Sequence, residues 1–244
     1  MTTLITPTPV VCETWITPFA GGAQIRAERG FRLVVNDNSE GGFRVQILVR
    51  ESETSVLVTP EIAELAGVRE ARNEAELRTA LTRGGITMNG ADHLFFLSEE
   101  RKTELRAGEN APHVRRLTDV DGAAFEAFVA DAPEDDVDEA YVELDQWVVF
   151  GAFDGGQLVA AGSAYPFDGD TLLADFGVIT LPSHRGQGHA RAIIEALARH
   201  ALDEGYEPQY RCQLDNTSSV ILAERSGFLS IGTWDVSLPE RGED

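Results

Sequence analysis

The chain has 244 residues, a length that suits two domains better than one. Acidic residues outnumber basic ones by 41 to 20, and the resulting net charge of −21 disfavours nucleic acid as a partner. Such a charge suits a cationic or amine-bearing substrate, although solubility alone also explains it.

Cysteine usage and hydropathy indicate a cellular compartment. Cys12 and Cys212 lie far apart and have no metal-like spacing, so neither a disulfide framework nor a metal site is expected. The first residues show no basic segment before an apolar run, and no stretch approaches the roughly 18 apolar residues of a membrane span. The sequence therefore predicts a cytoplasmic protein that binds neither metal nor membrane.

The first half of the chain predicts a mixture of strands and helices. Residues 31–35 and 43–49 contain β-branched residues in partial alternation, and the turn-rich residues 36–42 between them predict a hairpin with a long loop. Thr59 and Pro60 predict the start of a helix, with Thr59 as its N-cap. Residues 69–82 predict another helix and residues 93–97 a buried strand.

A polar segment with a glycine and a proline, residues 106–112, reads as a linker. We therefore expect an N-terminal α+β domain of unassigned role at 1–112 and a second domain at 113–244. The sequence of the second domain predicts the order strand, helix, three strands, helix, strand, helix, strand. The predicted ranges are 114–118, 119–131, 147–153, 157–164, 172–180, 188–204, 210–214, 218–226 and 228–237.

A candidate phosphate-binding loop joins the predicted strand 172–180 to the following helix, in the segment LPSHRGQGHA at 181–190. Glycines let backbone N–H groups turn towards a ligand, and a helix N-terminus adds further donors and partial positive charge. A P-loop is excluded because the segment lacks Gly-Lys-Ser/Thr, and a dinucleotide fingerprint because the spacing and the late position differ.

The spacing Arg185-x-x-Gly188-x-Ala190 instead resembles the R/Q-x-x-G-x-G/A signature of the GNAT superfamily of acyl-CoA-dependent N-acetyltransferases. Pro182 precedes it as is usual there, and Asn216 followed by a short helix ending in Gly227-Phe228 resembles the second family motif. The resemblance spans about residues 113–237. It implies a mixed, mainly antiparallel sheet flanked by helices, beside the separate α+β domain.

The resemblance implies acetyl-CoA as the cosubstrate, with a binding site in three parts. The backbone of Val178, Ile179 and Thr180 would pair with the pantetheine arm, and Asn216 would contact the pantetheine or cap a turn. The pyrophosphate would lie on the loop residues Arg185, Gly186, Gln187, Gly188, His189, Ala190 and Arg191.

The resemblance also suggests catalytic residues for direct attack of an amine on the thioester. Asp175 lies where relatives often carry a glutamate base, so it is the candidate base. Ala223 replaces the tyrosine that commonly serves as the acid, and Ser219 becomes the candidate partner of the sulfur or a helix-cap hydroxyl.

Other polar residues are interpreted as structural. His184 and His189 are expected to be loop or packing residues, and Cys212 a small core residue. The acidic run 134–139 either attracts a cationic amine or forms a solvated loop.

Three functions stay open on these grounds. The first is acetyl transfer to a small-molecule or peptide amine. The second is a non-catalytic acyl-CoA-binding or sensor module, and the third an interaction protein with a GNAT-like scaffold. The N-terminal domain would either shape the acceptor pocket or form a homodimer contact.

Overall fold

A computed structural model describes residues 6–36, 43–167 and 171–239 of the chain. It divides into two compact units. The central unit takes Phe95–Arg211 and Thr217–Leu229, and the N-terminal unit takes Pro7–Leu94, Cys212–Asn216 and the chain from Ser230 onward. The domains expected at 1–112 and 113–244 stay a prediction.

The helices and strands are numbered in chain order. They are α1 (Pro9–Trp15), β1 (Ala23–Glu28), β2 (Phe31–Val35), β3 (Val45–Arg50), β4 (Glu53–Val58), α2 (Pro60–Ala63), α3 (Glu74–Arg83), β5 (Asp92–Leu97), α4 (Glu99–Ala107), β6 (Val114–Arg116), α5 (Gly122–Asp131), α6 (Glu134–Ala140), β7 (Val148–Asp154), β8 (Gln157–Pro166), β9 (Leu173–Thr180), α7 (His189–Asp203), β10 (Glu207–Gln213), α8 (Thr217–Arg225) and β11 (Phe228–Val236).

In the N-terminal unit, the hairpin predicted from 31–35 and 43–49 is wrong. Strand β4 lies between β2 and β3, pairing parallel with β2 and antiparallel with β3. The hairpin partner of β2 is β1, through a turn at Arg29 and Gly30, both of which have positive φ. Most of the loop predicted at 36–42 lies outside the described residues. Strand pairing here is decided by the shared apolar core rather than by closeness in sequence.

Two helices of the N-terminal unit show how local sequence sets their starts. Helix α2 begins at Pro60 as predicted, and Thr59 has the extended conformation of an N-cap, but its side chain makes no capping hydrogen bond. Helix α3 begins later than expected because Asn73 caps it, accepting a hydrogen bond from the Glu76 N–H at 2.9 Å. Both helices contribute apolar side chains to the core over β2, β3 and β4.

In the central unit, β6, β7, β8 and β9 pair antiparallel in sequence order, and β10 joins β9 in parallel. Helices cover both faces, as the sequence predicted. Helix α7 lies against the face of Gly162, where an added Cβ would meet Ile193 at 2.7 Å. Helices α5 and α6 pack on the opposite face, against a cluster that includes Ala161 and Ile179.

Two segments of the central unit are more ordered than their composition suggested. The acidic run at 134–139, interpreted as either a solvated loop or a segment that attracts a cationic amine, forms helix α6, so the loop interpretation is wrong. Proline at position 133 can start such a helix, and three acidic side chains in the first turn complement its dipole. Helix α4, which no pattern predicted, includes the first residues of the expected linker and is capped by Ser98.

Candidate functional site

Strands β9 and β10 separate soon after they meet. They pair only at Leu173 with Glu207 and at Ala174 with Pro208, whereas β9 stays paired with β8 as far as Thr180. Among the residues that the structure describes, β9 has no pairing with β10 beyond Ala174. An open strand edge presents backbone N–H and C=O groups to which an extended ligand can hydrogen-bond. Val178, Ile179 and Thr180 form the end of this edge.

The predicted phosphate loop directly follows that edge. Gly186 and Gly188 have φ angles of 75° and 90°, and a Cβ added to either would meet no atom within 4 Å. Gly188 is the N-cap of α7, and the Ala192 N–H makes the first bond of the helix, to the Gly188 carbonyl. The N–H groups of helix residues 189–191 therefore have no acceptor within the helix, which is the arrangement that binds anions.

Arg185 links the loop to its surroundings. Its Nε donates to the Thr180 carbonyl at 3.2 Å, and its Nη2 forms an ion pair with Asp136 of α6. Within the loop, Gln187 Nε2 donates a hydrogen bond to the Ser183 carbonyl at 3.3 Å. The guanidinium therefore lies between the end of β9 and the acidic helix.

A group of histidine rings lies at the same loop. The His189 ring is 5.2 Å from His113 and 6.4 Å from His184, measured between centroids. Burial is the main reason that the pKa of His189 lies below its usual value; the nearby His113 and His184 add to this, and Asp154 opposes it. Neither ring nitrogen of His189 has a hydrogen-bond partner among the described residues.

Asp175 is buried, and it lies beside the point where β9 and β10 separate. Its Oδ2 accepts hydrogen bonds from Arg211 Nε at 2.8 Å and Nη2 at 2.6 Å, and its Oδ1 accepts one from Gln209 Nε2 at 3.4 Å. The candidate base is thus part of an ion pair that joins the two strands.

Aromatic rings surround this ion pair. Tyr165 is the cross-strand partner of Asp175, and burial, followed by the negative charge of Asp175, raises the pKa of Tyr165 to about 12. The ring of Tyr141 meets it edge to face at 5.9 Å, and Tyr141 has a positive φ of 49°. The Arg211 guanidinium lies 4.9 Å from the ring centroid of Phe167. Together these groups form a partly polar, aromatic-lined surface on the face covered by α6.

The second motif lies at the start of α8. Ser219 is a half-buried residue in its first turn, and Ala223, one turn later, is fully buried. Asn216 belongs to the N-terminal unit, and its backbone N–H donates to the Gln213 carbonyl at 3.1 Å. The methyl group of Ala223 offers no proton to a thiolate.

Sequence reasoning missed Arg211 and Tyr165. No local motif marks either residue, because each reaches Asp175 only through strand pairing. The parallel arrangement of β9 and β10 was the signal that could have placed Arg211 near Asp175. Cys212 is half-buried, and burial followed by the charge of Asp92 raises the pKa of its thiol to about 12, which opposes a nucleophilic role.

Within 6–36, 43–167 and 171–239, no group of three or more histidine, cysteine or acidic side chains could hold a metal ion. In the same ranges no helix is long and apolar enough to cross a membrane.

The chain resembles known proteins in its family and in its fold. The family model described as "Acetyltransferase (GNAT) family" matches residues 117–228. A comparison with curated proteins found no match. Among solved structures, a GNAT-family protein from Novosphingobium aromaticivorans shares 18% identity with a TM-score of 0.50; the match covers 63% of this chain and 66% of that one. An acetyltransferase of the GNAT family from Colwellia psychrerythraea shares 24% identity with a TM-score of 0.48, over 68% of this chain and 63% of that one.

Residues 117–228 therefore form a GNAT acetyltransferase domain, as the loop and the separated strands indicated. Members of this family are acyltransferases that use acyl-CoA and act on small-molecule or peptide acceptors. The chain matches slightly less than two thirds of the length of these two solved proteins.

Proposed function

We propose that the protein transfers an acetyl group from acetyl-CoA to a primary amine by direct attack. The observation that carries this proposal is the separation of β9 from β10 immediately before a glycine loop and a helix N-terminus. An open strand edge can bind an extended amide-containing arm, and the helix N-terminus can bind its pyrophosphate. The strand edge and the helix N-terminus follow each other along one segment, as the pantetheine arm and the pyrophosphate follow each other in coenzyme A.

The cosubstrate would lie along the segment from Val178 to Arg191. The pantetheine arm would pair with the backbone of Val178, Ile179 and Thr180, and the pyrophosphate would lie on the loop from Arg185 to Arg191. The guanidinium of Arg185 would exchange its exposed ion pair with Asp136 for the phosphate oxygens. An exposed pair of this kind contributes about 0–1 kcal/mol, so the exchange costs little.

Proton transfer is assigned to Asp175 and Ser219. Asp175 would take the proton of the acceptor ammonium through a water, because its carboxylate is buried and bonded to Arg211. Ser219 would donate a hydrogen bond to the sulfur as the thiolate leaves. Tyr165, with its pKa raised to about 12, stays protonated and supplies a donor near the carboxylate.

The acceptor is proposed to be a small-molecule or peptide amine, with nucleic acid and membranes excluded as partners. The acidic helix α6 and the edge-to-face rings of Tyr141 and Tyr165 would favour a cationic acceptor. A cytoplasmic location and a homodimer contact through the N-terminal unit stay predictions.

The test has two stages. Isothermal titration with acetyl-CoA measures binding, and release of free thiol with a panel of primary amines then measures transfer. Heat of binding together with amine-dependent thiol release supports the proposal. An absence of binding heat and of any thermal shift contradicts it.

One observation favours a second candidate, a non-catalytic acyl-CoA-binding module. Ala223 is fully buried where a proton donor is common in relatives, and Asp175 is engaged by Arg211. This module would bind acetyl-CoA yet release no thiol beyond its slow hydrolysis with any amine. Binding without turnover would therefore favour the second candidate over the first.

A further inference from the structure

Ser163 of β8 is a buried serine whose hydroxyl makes no hydrogen bond to the described residues. Its side chain is fully buried, and its Oγ has no hydrogen-bond partner within the described part of the chain. A buried hydroxyl without a partner lowers stability, so such groups in native proteins are usually explained by a water, an ion or a functional role. Nothing in the proposed function uses this hydroxyl.

The position of Ser163 connects it to the proton-handling residues. It pairs across the sheet with Gly177, and the next pair on the same face is Tyr165 with Asp175. Side chains of cross-strand partners share a face, so Ser163 and Asp175 are diagonal neighbours, about 7–8 Å apart at this spacing. That spacing describes backbone positions. Because the Ser163 hydroxyl makes no direct hydrogen bond to the described part of the chain, a link from it to Asp175 would run through a water.

The backbone above Gly177 completes this small polar region. A Cβ at Gly177 would lie 1.9 Å from the carbonyl oxygen of Ala140, so the last turn of α6 lies directly over the glycine. The region next to Ser163 therefore contains an acceptor carbonyl above and an acceptor carboxylate beside it. A hydroxyl among acceptors can hold a water that donates one hydrogen to the carboxylate.

We propose that Ser163 is a positioning residue, which holds the water that links the acceptor amine to Asp175. This inference rests on the proposed acetyl transfer. The ammonium gives a proton to the water as the water gives one to the Asp175 carboxylate. The neutral amine attacks the thioester carbon, the new C–N bond forms and the C–S bond breaks, with its electron pair on the sulfur. The second proton of the nitrogen ends on that sulfur, and Asp175 releases the first to solvent.

The full-length protein offers a matched control for the test. Ser226 is also buried, and its Oγ likewise lacks a partner among the described residues, but it follows α8 rather than facing Asp175. Ser226→Ala removes an unsatisfied hydroxyl and should keep or raise the Tm, whereas Ser163→Ala removes a hydroxyl bonded only to water and should change the Tm little. Ser163→Ala alone should lower kcat about tenfold or more at neutral pH, while acetyl-CoA binding changes less than about twofold.

The pH profile separates positioning from packing. Without the held water, the reaction depends on amine that has already lost its proton in solution. The acidic limb of kcat/KM for Ser163→Ala should therefore move up to the pKa of the acceptor itself, whereas Ser163→Thr, which keeps the hydroxyl, should retain the wild-type limb.

Four results would overturn this assignment, and the first three leave the proposed function intact. If wild type turns over and Ser163→Ala matches it, only Ser163 is wrongly assigned. If Ser163→Ala loses activity only in proportion to a lowered Tm, Ser163 has a packing role. If Tyr165→Phe moves the acidic limb of kcat/KM and Ser163→Ala does not, the water is held by Tyr165 instead. If wild type binds acetyl-CoA but transfers nothing, the proposed function fails first, and the role of Ser163 fails with it.

Discussion

The carboxylate of Asp175 accepts two hydrogen bonds from the guanidinium of Arg211, from Nε at 2.8 Å and from Nη2 at 2.6 Å. The pair joins β9 to β10 just beyond their last backbone pairing, at Ala174 with Pro208. It therefore ties the two strands together by side chains where their backbones separate. Asp175, the proposed base, is therefore in direct contact with Arg211, the residue that joins the separating strands.

The first prediction concerns that ion pair. Arg211→Met should destabilise the protein by about 3 kcal/mol, because it leaves the carboxylate of Asp175, 3% exposed, without its cation. The double variant Asp175→Leu, Arg211→Met should recover most of that loss. Urea unfolding of the single and double variants measures both effects. Arg191→Met breaks the exposed pair with Glu195 and should change stability by less than about 1 kcal/mol. A double variant no more stable than Arg211→Met contradicts the prediction.

The second prediction uses the close contact of α6 with β9. Gly177→Ala should destabilise the protein by about 1–3 kcal/mol and raise the KM for the amine, because its Cβ would meet the Ala140 carbonyl at 1.9 Å and displace α6. Gly122→Ala is the matched control: it lies at the start of α5, has no atom within 4 Å of an added Cβ and should be neutral or stabilising. Equal stability for both variants, measured by urea unfolding, would contradict this packing.

Different parts of the site could be predicted from the sequence to different degrees. The loop at Arg185–Arg191 was predictable because its glycines, its helix and the preceding strand are contiguous, so local rules suffice. The family assignment followed from that loop and the second motif. The match of the family model to residues 117–228 confirms it. The contact of Arg211 with Asp175 was not predictable in this way, since it joins residues 36 apart through a parallel strand pair.

Errors in the N-terminal half have the same origin. The partial alternation of 31–35 and 43–49 correctly predicts two strands, but it carries no information about which strand lies between them. Strand β4 pairs with both because its apolar side chains Val56 and Val58 join the core formed by β2 and β3. Helix α6 was missed because its acidic composition outweighed its helix-starting signals.

The third prediction tests the loop glycines. Gly188→Ala should raise the Kd for acetyl-CoA about tenfold, because the φ of 90° strains any side chain and a methyl group would project into the open space in front of α7. Gly205→Ala is a control of equal strain: its φ is 84°, its added Cβ also meets nothing within 4 Å, and it lies beyond the other end of α7. Both variants should lose about 1 kcal/mol of stability, yet only Gly188→Ala should weaken binding in titration calorimetry.

The fourth prediction concerns pH and His189. Its pKa in the folded protein lies below the usual value, because burial and the neighbouring His113 and His184 disfavour the charged ring, while Asp154 only partly offsets them. The unfolded chain therefore takes up this proton first as the pH falls. The stability contributed by neutral His189 is complete above about pH 6.5 and declines below it, until the folded protein also becomes protonated.

Replacing the ring by an uncharged side chain should remove that dependence. His189→Gln should lose less free energy of unfolding than wild type between pH 7.5 and pH 5.5, as measured by urea unfolding at each pH. His200→Gln serves as the comparison, because burial also lowers the pKa of His200 but that ring lies in the last turn of α7. Both variants should flatten the stability profile, whereas only His189→Gln should alter how acetyl-CoA affinity changes with pH, since only His189 adjoins the phosphate loop. An unchanged stability profile for His189→Gln would mean that this ring does not titrate differently in the folded and unfolded states.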